Sequence, residues 1–185
     1  MSNTKRIETA RLILREYRIE DVEQVFINWA SDPLCCQFLS FEPHKDLTET
    51  KKNVQNWIDN YDNGSFDWVI ETKDNHEIVG SISVTNGHCA LDLQNGIAEI
   101  GYCFGSKFWG CGYATEALRA VIEYLLTEAG MYLVEARHIS GNPASGRVMQ
   151  KAGMKKEAVL RGRRINKVTK ERNDLYVYSI TKDEL

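Results

Sequence analysis

Apolar residues stand at Ala114, Ala117, Leu118, Val121, Ile122, Leu125, Leu126 and Ala129, offsets of 3, 4, 7, 8, 11, 12 and 15 from the first. That is the one-face pattern of an α-helix with its period of 3.6 residues. Glu116, Arg119, Glu123, Thr127 and Glu128 fall between them and are expected to face water or a helix flank. Gly130 sits where a left-handed cap would end the helix. Earlier in the chain Ile19, Val22, Val25, Phe26 and Trp29 give a second helical stripe. A third, Val54, Trp57, Ile58 and Tyr61, follows Asp46 and Glu49, which are spaced as a capping box, and Gly64-Ser65 breaks it.

Strand patterns occupy the remainder. Leu12–Arg15 reads as the first strand. Asp67–Thr72 and Glu77–Val84 flank a polar turn, Lys73–His76, as a hairpin does. Asn86–Gly96 reads as loop, and Ala98–Phe104 and Leu133–Ile139 as strands. Asn142-Pro143 opens a short helix, with Asn as N-cap and Pro at the first helical position. Ala144, Val148, Met149 and Ala152 form its apolar face, and Gly153 ends it. Lys155–Arg163 and Asp174–Ile180 are the last strands. The order β-α-α-β-β-β-α-β-α-β-β predicts an α/β (α+β) fold with a mixed sheet, not a regular doubly wound one.

The chain has 185 residues, expected to form a single domain over 1–185. Its formal charge of −3 argues against broad binding to nucleic acid or acidic membranes. No apolar run approaches the roughly 20 residues that span a bilayer, and Met1–Arg6 leads into no signal-peptide core. A cytoplasmic location is the expectation. The five cysteines are odd in number and lack metal spacing, and the four histidines are dispersed, so reduced thiols and no metal site are expected.

The stretch Lys107–Ala117 is a glycine-bearing loop running straight into the strongest helix. Such a junction presents free backbone N–H groups and the positive end of a helix dipole, a site for phosphate. It is also what a plain tight turn looks like, and the loop by itself leaves both readings open. It is not a dinucleotide fingerprint, because Thr115 occupies the place of the third glycine. No P-loop pattern is present.

Four motifs occur in fixed order: Glu99-Ile100-Gly101-Tyr102; Lys107-x-x-Gly110-x-Gly112; Asn142-Pro143-Ala144-Ser145; and Lys151-Ala152-Gly153-Met154. With the opening Thr9–Arg15 they resemble the GNAT N-acetyltransferases, specifically the RimJ/RimL-like branch, over essentially the whole chain. The resemblance implies the GNAT acyl-CoA fold, a mixed, mostly antiparallel twisted sheet of about six to seven strands flanked by about four helices. It implies acetyl-CoA as cosubstrate and no metal. The family's glycine motif begins with Gln or Arg where this chain has Lys107, and its last motif usually ends Gly-Phe where this chain has Gly153-Met154.

Carried over by position, the resemblance implies that the backbone of Tyr102, Cys103 and Phe104 pairs with the pantetheine arm. The loop Lys107, Trp109, Gly110, Cys111, Gly112, Tyr113 and Ala114 would hold the pyrophosphate, and Asn142 would reach the pantetheine or thioester. Glu99 is the candidate general base and Ser145 the candidate donor to the leaving thiolate, with Tyr176 and Tyr178 as fallback acids. Each has a plain structural role as its rival: strand residue, first-turn hydrogen bond, core packing. The aromatics Trp29, Phe38, Phe41, Trp57, Tyr61 and Trp68 are candidates for the acceptor wall or, more simply, core.

The implied reaction is direct attack of a primary amine on acetyl-CoA in a ternary complex. An α-amine, with a pKa of roughly 7.7–8.0, is about a tenth neutral at pH 7; a lysine, at roughly 10.4, is not. The acceptor is expected to be a protein or peptide N-terminal α-amine. The alternatives are a small-molecule amine, such as an antibiotic or polyamine, or a non-catalytic acyl-CoA-binding module. No nucleic-acid or membrane partner is expected, and a homodimer is among the allowed assemblies.

Overall fold

The structure is a computed structural model that describes residues 3–85, 90–167 and 169–185. Among them run eight strands: β1 (Ile7–Glu8), β2 (Leu12–Arg15), β3 (Asp67–Thr72), β4 (Ile78–Val84), β5 (Ile97–Phe104), β6 (Leu133–Ile139), β7 (Lys155–Ile165) and β8 (Arg172–Thr181). The α-helices are α1 (Val22–Val25), α2 (Pro33–Cys36), α3 (Leu47–Asn60), α4 (Ala90–Gln94), α5 (Tyr113–Thr127) and α6 (Pro143–Lys151). The packing defines two compact units. One holds the residues up to Ser83 with Tyr102–Ala117, the other Val84–Gly101 with Leu118–Leu185. Among the described residues no helix is long and apolar enough to cross a membrane.

In the first unit β1, β2, β3 and β4 pair antiparallel in sequence order, with Ile7 opposite Leu14, Leu12 opposite Thr72 and Asp67 opposite Ser83. Strands β2 to β4 are buried almost throughout, so they read as apolar runs, not alternations. The helical stripes meet these strands in one core of Tyr17, Val25, Trp29, Val54, Tyr61, Val69, Ile78 and Cys103. Trp57 stacks on Tyr17 at 4.6 Å and lies 6.1 Å from Trp29. The Tyr61 hydroxyl accepts from Tyr17 N–H at 2.8 Å and donates to the Asp67 carbonyl at 2.9 Å, which fastens α3 to β3. Trp29, Tyr61 and Trp68 are thereby core residues.

The stripe at residues 19–29 is not one helix. It is a 3-10 turn (Ile19–Asp21), then α1, then a π segment (Phe26–Ala30). The wide turn closes because Ser31 gives both its N–H and its hydroxyl to the Phe26 carbonyl. Asp46 caps α3 by accepting from Glu49 N–H at 2.9 Å, whereas Glu49 reaches Lys45 N–H, one residue before the position a capping box requires.

In the second unit the first half of β5 runs parallel to β6, from Ile97 opposite Leu133 to Ile100 opposite Ala136. Strand β8 pairs antiparallel with β6 on one side and β7 on the other. The predicted apolar stripe of α5 is buried from Ala117 to Leu126, and β6 alternates half-buried and buried along its length. The sheet is mixed and mostly antiparallel, as expected, with two details corrected. A two-residue β1 raises the strand count to eight, and Ala90–Gln94, read as loop, is helix α4. Five residues are too few to show a helical period. The rest of that loop reading, Asn86 to Cys89, lies outside the described residues.

Candidate active site

The glycine loop is shaped by two residues that only glycine occupies freely: Gly110 and Gly112 both have φ +82°. Nothing lies within 4 Å of where a Cβ on Gly110 would stand, so the constraint there is backbone conformation, not crowding. The first intrahelical bond of α5 runs from Glu116 N–H to the Gly112 carbonyl at 3.1 Å. The N–H groups of Tyr113, Ala114 and Thr115 consequently have no acceptor within the helix. They and the positive end of the dipole of a fifteen-residue helix are the arrangement that suits an anion.

A brace holds this loop that the sequence reading did not find. Glu116, expected to face water or a helix flank, instead accepts from Thr9 Oγ1 at 2.6 Å, Arg11 N–H at 2.9 Å and Arg11 Nε at 2.7 Å. Arg11 Nη1 then donates to the Cys111 carbonyl at 2.9 Å, and its guanidinium lies 4.8 Å over the Tyr113 ring. Burial pushes the Glu116 carboxyl up, but the bonds from Thr9 and Arg11 outweigh it and hold its pKa below the ordinary value. An acid in the first turn of α5 is legible as a complement to the dipole. Its partners, more than a hundred residues away, carry no local signal.

The front of the loop is fastened as tightly. A Cβ on Gly105 would stand 1.8 Å from the Asn28 carbonyl oxygen, so the π segment and the end of β5 touch only because residue 105 is glycine. Asp32 caps α2 through Leu34 N–H and also accepts from Ser106 N–H at 2.8 Å. Trp109 donates its indole N–H to the Phe104 carbonyl at 2.8 Å while half its surface stays exposed. Lys107 lies 2.7 Å from Glu77 Oε1 and over the Phe108 ring. Its ammonium has partners within the protein. The side chains of Cys103 and Phe104 are buried, Cys103 Sγ being 3.4 Å from Ser81 Oγ. The Cys111 thiol is exposed.

The second unit carries the other candidates. Glu99 lies 3.4 Å from Arg137 Nη2, and Arg137 Nε donates to Glu135 at 2.6 Å, so one guanidinium serves two carboxylates. Asn142 caps α6, accepting from Ser145 N–H at 3.3 Å, which places Asn142 and Ser145 together in the first turn. Neighbouring β6 supplies a histidine the sequence reading passed over. His138 Nδ1 lies 2.8 Å from the Ile139 carbonyl, which can only accept, so Nδ1 carries the proton. Its Nε2 is buried with no hydrogen-bond partner among the described residues, 2.6 Å from where a Cβ on Gly146 would be. Burial pushes the His138 pKa down, which favours the neutral ring. Tyr176 stacks on the ring at 5.0 Å and Tyr178 tilts against it at 5.6 Å. The two fallback acids thus pack on His138, and Lys156 sits over Tyr176 at 4.5 Å.

Comparison with known proteins accords with this geometry. Residues 11–155 match the family described as acetyltransferase (GNAT) domain. The uncharacterized N-acetyltransferase p20 of Bacillus licheniformis is 30% identical over 95% of this chain and 96% of its own length. A solved GNAT-family acetyltransferase from Bacillus anthracis superposes with a TM-score of 0.83 at 24% identity, covering 97% of this chain and 100% of its own. RimL, a ribosomal L7/L12 alpha-N-protein acetyltransferase solved with coenzyme A, superposes with a TM-score of 0.81 at 21% identity, covering 98% of this chain and 100% of its own. The chain is therefore a member of the GNAT family of acetyltransferases.

Proposed function

We propose that this chain, an acetyl-CoA-dependent N-acetyltransferase, transfers acetyl to the N-terminal α-amine of a protein or peptide. The observation that carries the choice of acceptor is the pairing of Glu99 with Arg137. The Glu99 carboxylate is already engaged by a guanidinium that also serves Glu135, which suits an acceptor needing little help from the protein. An α-amine is such an acceptor, whereas neutralising a lysine amine at pH 7 costs on the order of 3 kcal/mol more. That RimL acts on a protein α-amine and shares this fold is consistent with the reading.

In this reading the N–H groups of Gly110, Gly112, Tyr113 and Ala114 hold the pyrophosphate, and the backbone of Tyr102–Phe104 holds the pantetheine arm. Asn142 orients the thioester end. The neutral amine attacks the thioester carbonyl, Glu99 takes its proton directly or through water, and the C–S bond breaks. Ser145 donates to the departing thiolate, whose conjugate acid resembles a free thiol of pKa about 8.5 and needs little acid assistance. The rate comes mostly from positioning.

The test is turnover. Purified protein with acetyl-CoA and a panel of free-amine peptides, polyamines and aminoglycosides is assayed for CoA release. Release driven by peptides with free N-termini, and absent with N-terminally blocked ones, is the expected result. Release with polyamines or aminoglycosides alone would replace this acceptor with a small molecule. Acetyl-CoA binding without release on any amine would point to a sensor.

A further inference from the structure

In a chain of net charge −3, residues 161–174 hold Arg161, Arg163, Arg164, Lys167, Lys170 and Arg172 against only Glu171 and Asp174. This is the hairpin of β7 and β8, and it is built, not merely basic. Between Leu160 opposite Leu175 and Arg164 opposite Asn173, β7 carries two more residues than β8. Gly162 takes φ +60° in that bulge, its N–H donates to Asp174 Oδ1 at 2.9 Å, and its carbonyl accepts from Arg172 Nη1 at 3.0 Å. Bulges of this kind re-aim the side chains around them. Arg161, Arg163 and Arg164 are all exposed, and none forms an ion pair among the described residues.

The bulge also adjoins the candidate catalytic loop. Asp174, whose carboxylate holds Gly162, accepts from Ser140 N–H through its carbonyl at 2.9 Å, and Ser140 Oγ donates to Asn173 at 2.9 Å. Ser140 stands two residues before Asn142. Whatever lies along the bulge is thus within a few residues of the loop that presents Asn142 and Ser145.

We infer that the β7–β8 hairpin is a docking surface for an acidic stretch of polypeptide, held by Arg161, Arg163 and Arg164. Three features favour a polypeptide. Strand β7 ends the strand order and, among the described residues, pairs with β8 alone, so its other main-chain edge can take an extended chain. Val159 and Ile165 on the same strand are exposed apolar side chains, whereas a single-stranded nucleic acid would call for aromatics on which bases stack. The negative charge of the whole chain opposes a polyanion that extends beyond the hairpin. That the docked stretch belongs to the acetyl acceptor rests on the function proposed above; the surface itself does not.

Binding comes first, measured by fluorescence anisotropy with a labelled, N-terminally acetylated peptide rich in Asp and Glu, which cannot be a substrate. The wild-type protein should bind it, more weakly as salt rises, and a length-matched neutral peptide should not bind. The triple variant Arg161→Ala, Arg163→Ala, Arg164→Ala should weaken binding at least about tenfold, and the triple Arg→Lys variant should stay within about threefold. No binding by the wild type, or equal binding by the alanine variant, overturns the inference. So does tighter, arginine-dependent binding of a single-stranded RNA of similar length. If the arginines only guard an open edge from aggregation, the alanine variant will self-associate with peptide binding unchanged, which also overturns it. Turnover then separates the two claims. With a free-amine acidic peptide the alanine variant should raise KM about tenfold with kcat held, and a neutral tripeptide should show no change. Arginine-dependent binding without acetylation of any peptide would leave the surface standing and remove only the proposed acceptor.

Discussion

Glu116 illustrates how one side chain can brace a glycine loop through partners more than a hundred residues away. Its carboxylate gathers Thr9 and Arg11, and Arg11 in turn holds the Cys111 carbonyl. Charge-assisted bonds of this type contribute about 1.5–3 kcal/mol. Glu116→Gln is expected to raise the KM for acetyl-CoA about tenfold with a smaller change in kcat, by steady-state kinetics. The carboxyl pKa is depressed in the folded state, so its stabilising contribution is complete above the ordinary value of 4.5 and is lost as pH falls through the folded value. Wild type and Glu116→Gln should thus differ in unfolding midpoint at pH 7 and converge at low pH. For Glu99→Gln, kcat/KM should fall most near pH 6 and recover above about pH 8, where the α-amine loses its proton unaided; no change across pH 6–9 would remove Glu99 as the base. At this scale the sequence was legible where a residue acts on its neighbours. Asn142 as a cap for α6 and glycine at 110 and 112 were read directly. Arg11, Asp32, Glu116 and His138 were not, because each earns its role from a partner distant in sequence or from burial.

Elements were legible in proportion to their length. The fifteen residues of α5 and the seven of β6 lie where periodicity puts them. Helix α4 and strand β1 were too short to show a period, and the stripe at 19–29 dissolved into three kinds of turn because Ser31 captures the Phe26 carbonyl. How β6 and α6 fit together was not legible, since it depends on one missing side chain. Gly146 lets α6 close on His138, whose ring is pinned from behind by Tyr176. Gly146→Ala should cost about 1–3 kcal/mol by overpacking, seen as a drop of several degrees in Tm. Combining it with His138→Ala should recover part of the loss, a coupling that a general weakening of the helix would not show. Gly105→Ala should be at least as damaging, because its Cβ would meet the Asn28 backbone, which cannot rotate away.

At the scale of the whole molecule, the mixed sheet followed from the order of elements and the acetyltransferase fold from four motifs in order, but strand neighbours did not follow from strand order. Nothing in the local pattern says that β8 rather than β7 lies beside β6. A buried charge cluster was equally hidden. Arg15 pairs with both oxygens of Asp21 at 2.8 Å and with Glu71 at 2.7 Å, joining β2, β3 and the 3-10 turn before α1. Removing its charge leaves, among the described residues, Asp21 with only the Arg18 N–H and Glu71 with only His76, so Arg15→Met should destabilise by about 3–5 kcal/mol in chemical denaturation. The central claim concerns which amine receives the acetyl group, and one peptide can decide it. A peptide with a free N-terminus and an internal lysine is incubated with the protein and acetyl-CoA, and fragment mass spectrometry locates the added acetyl. The account predicts acetyl on the α-amine and an unmodified lysine. Acetyl on the lysine side chain, or no acetylated peptide while a polyamine is consumed, would contradict it.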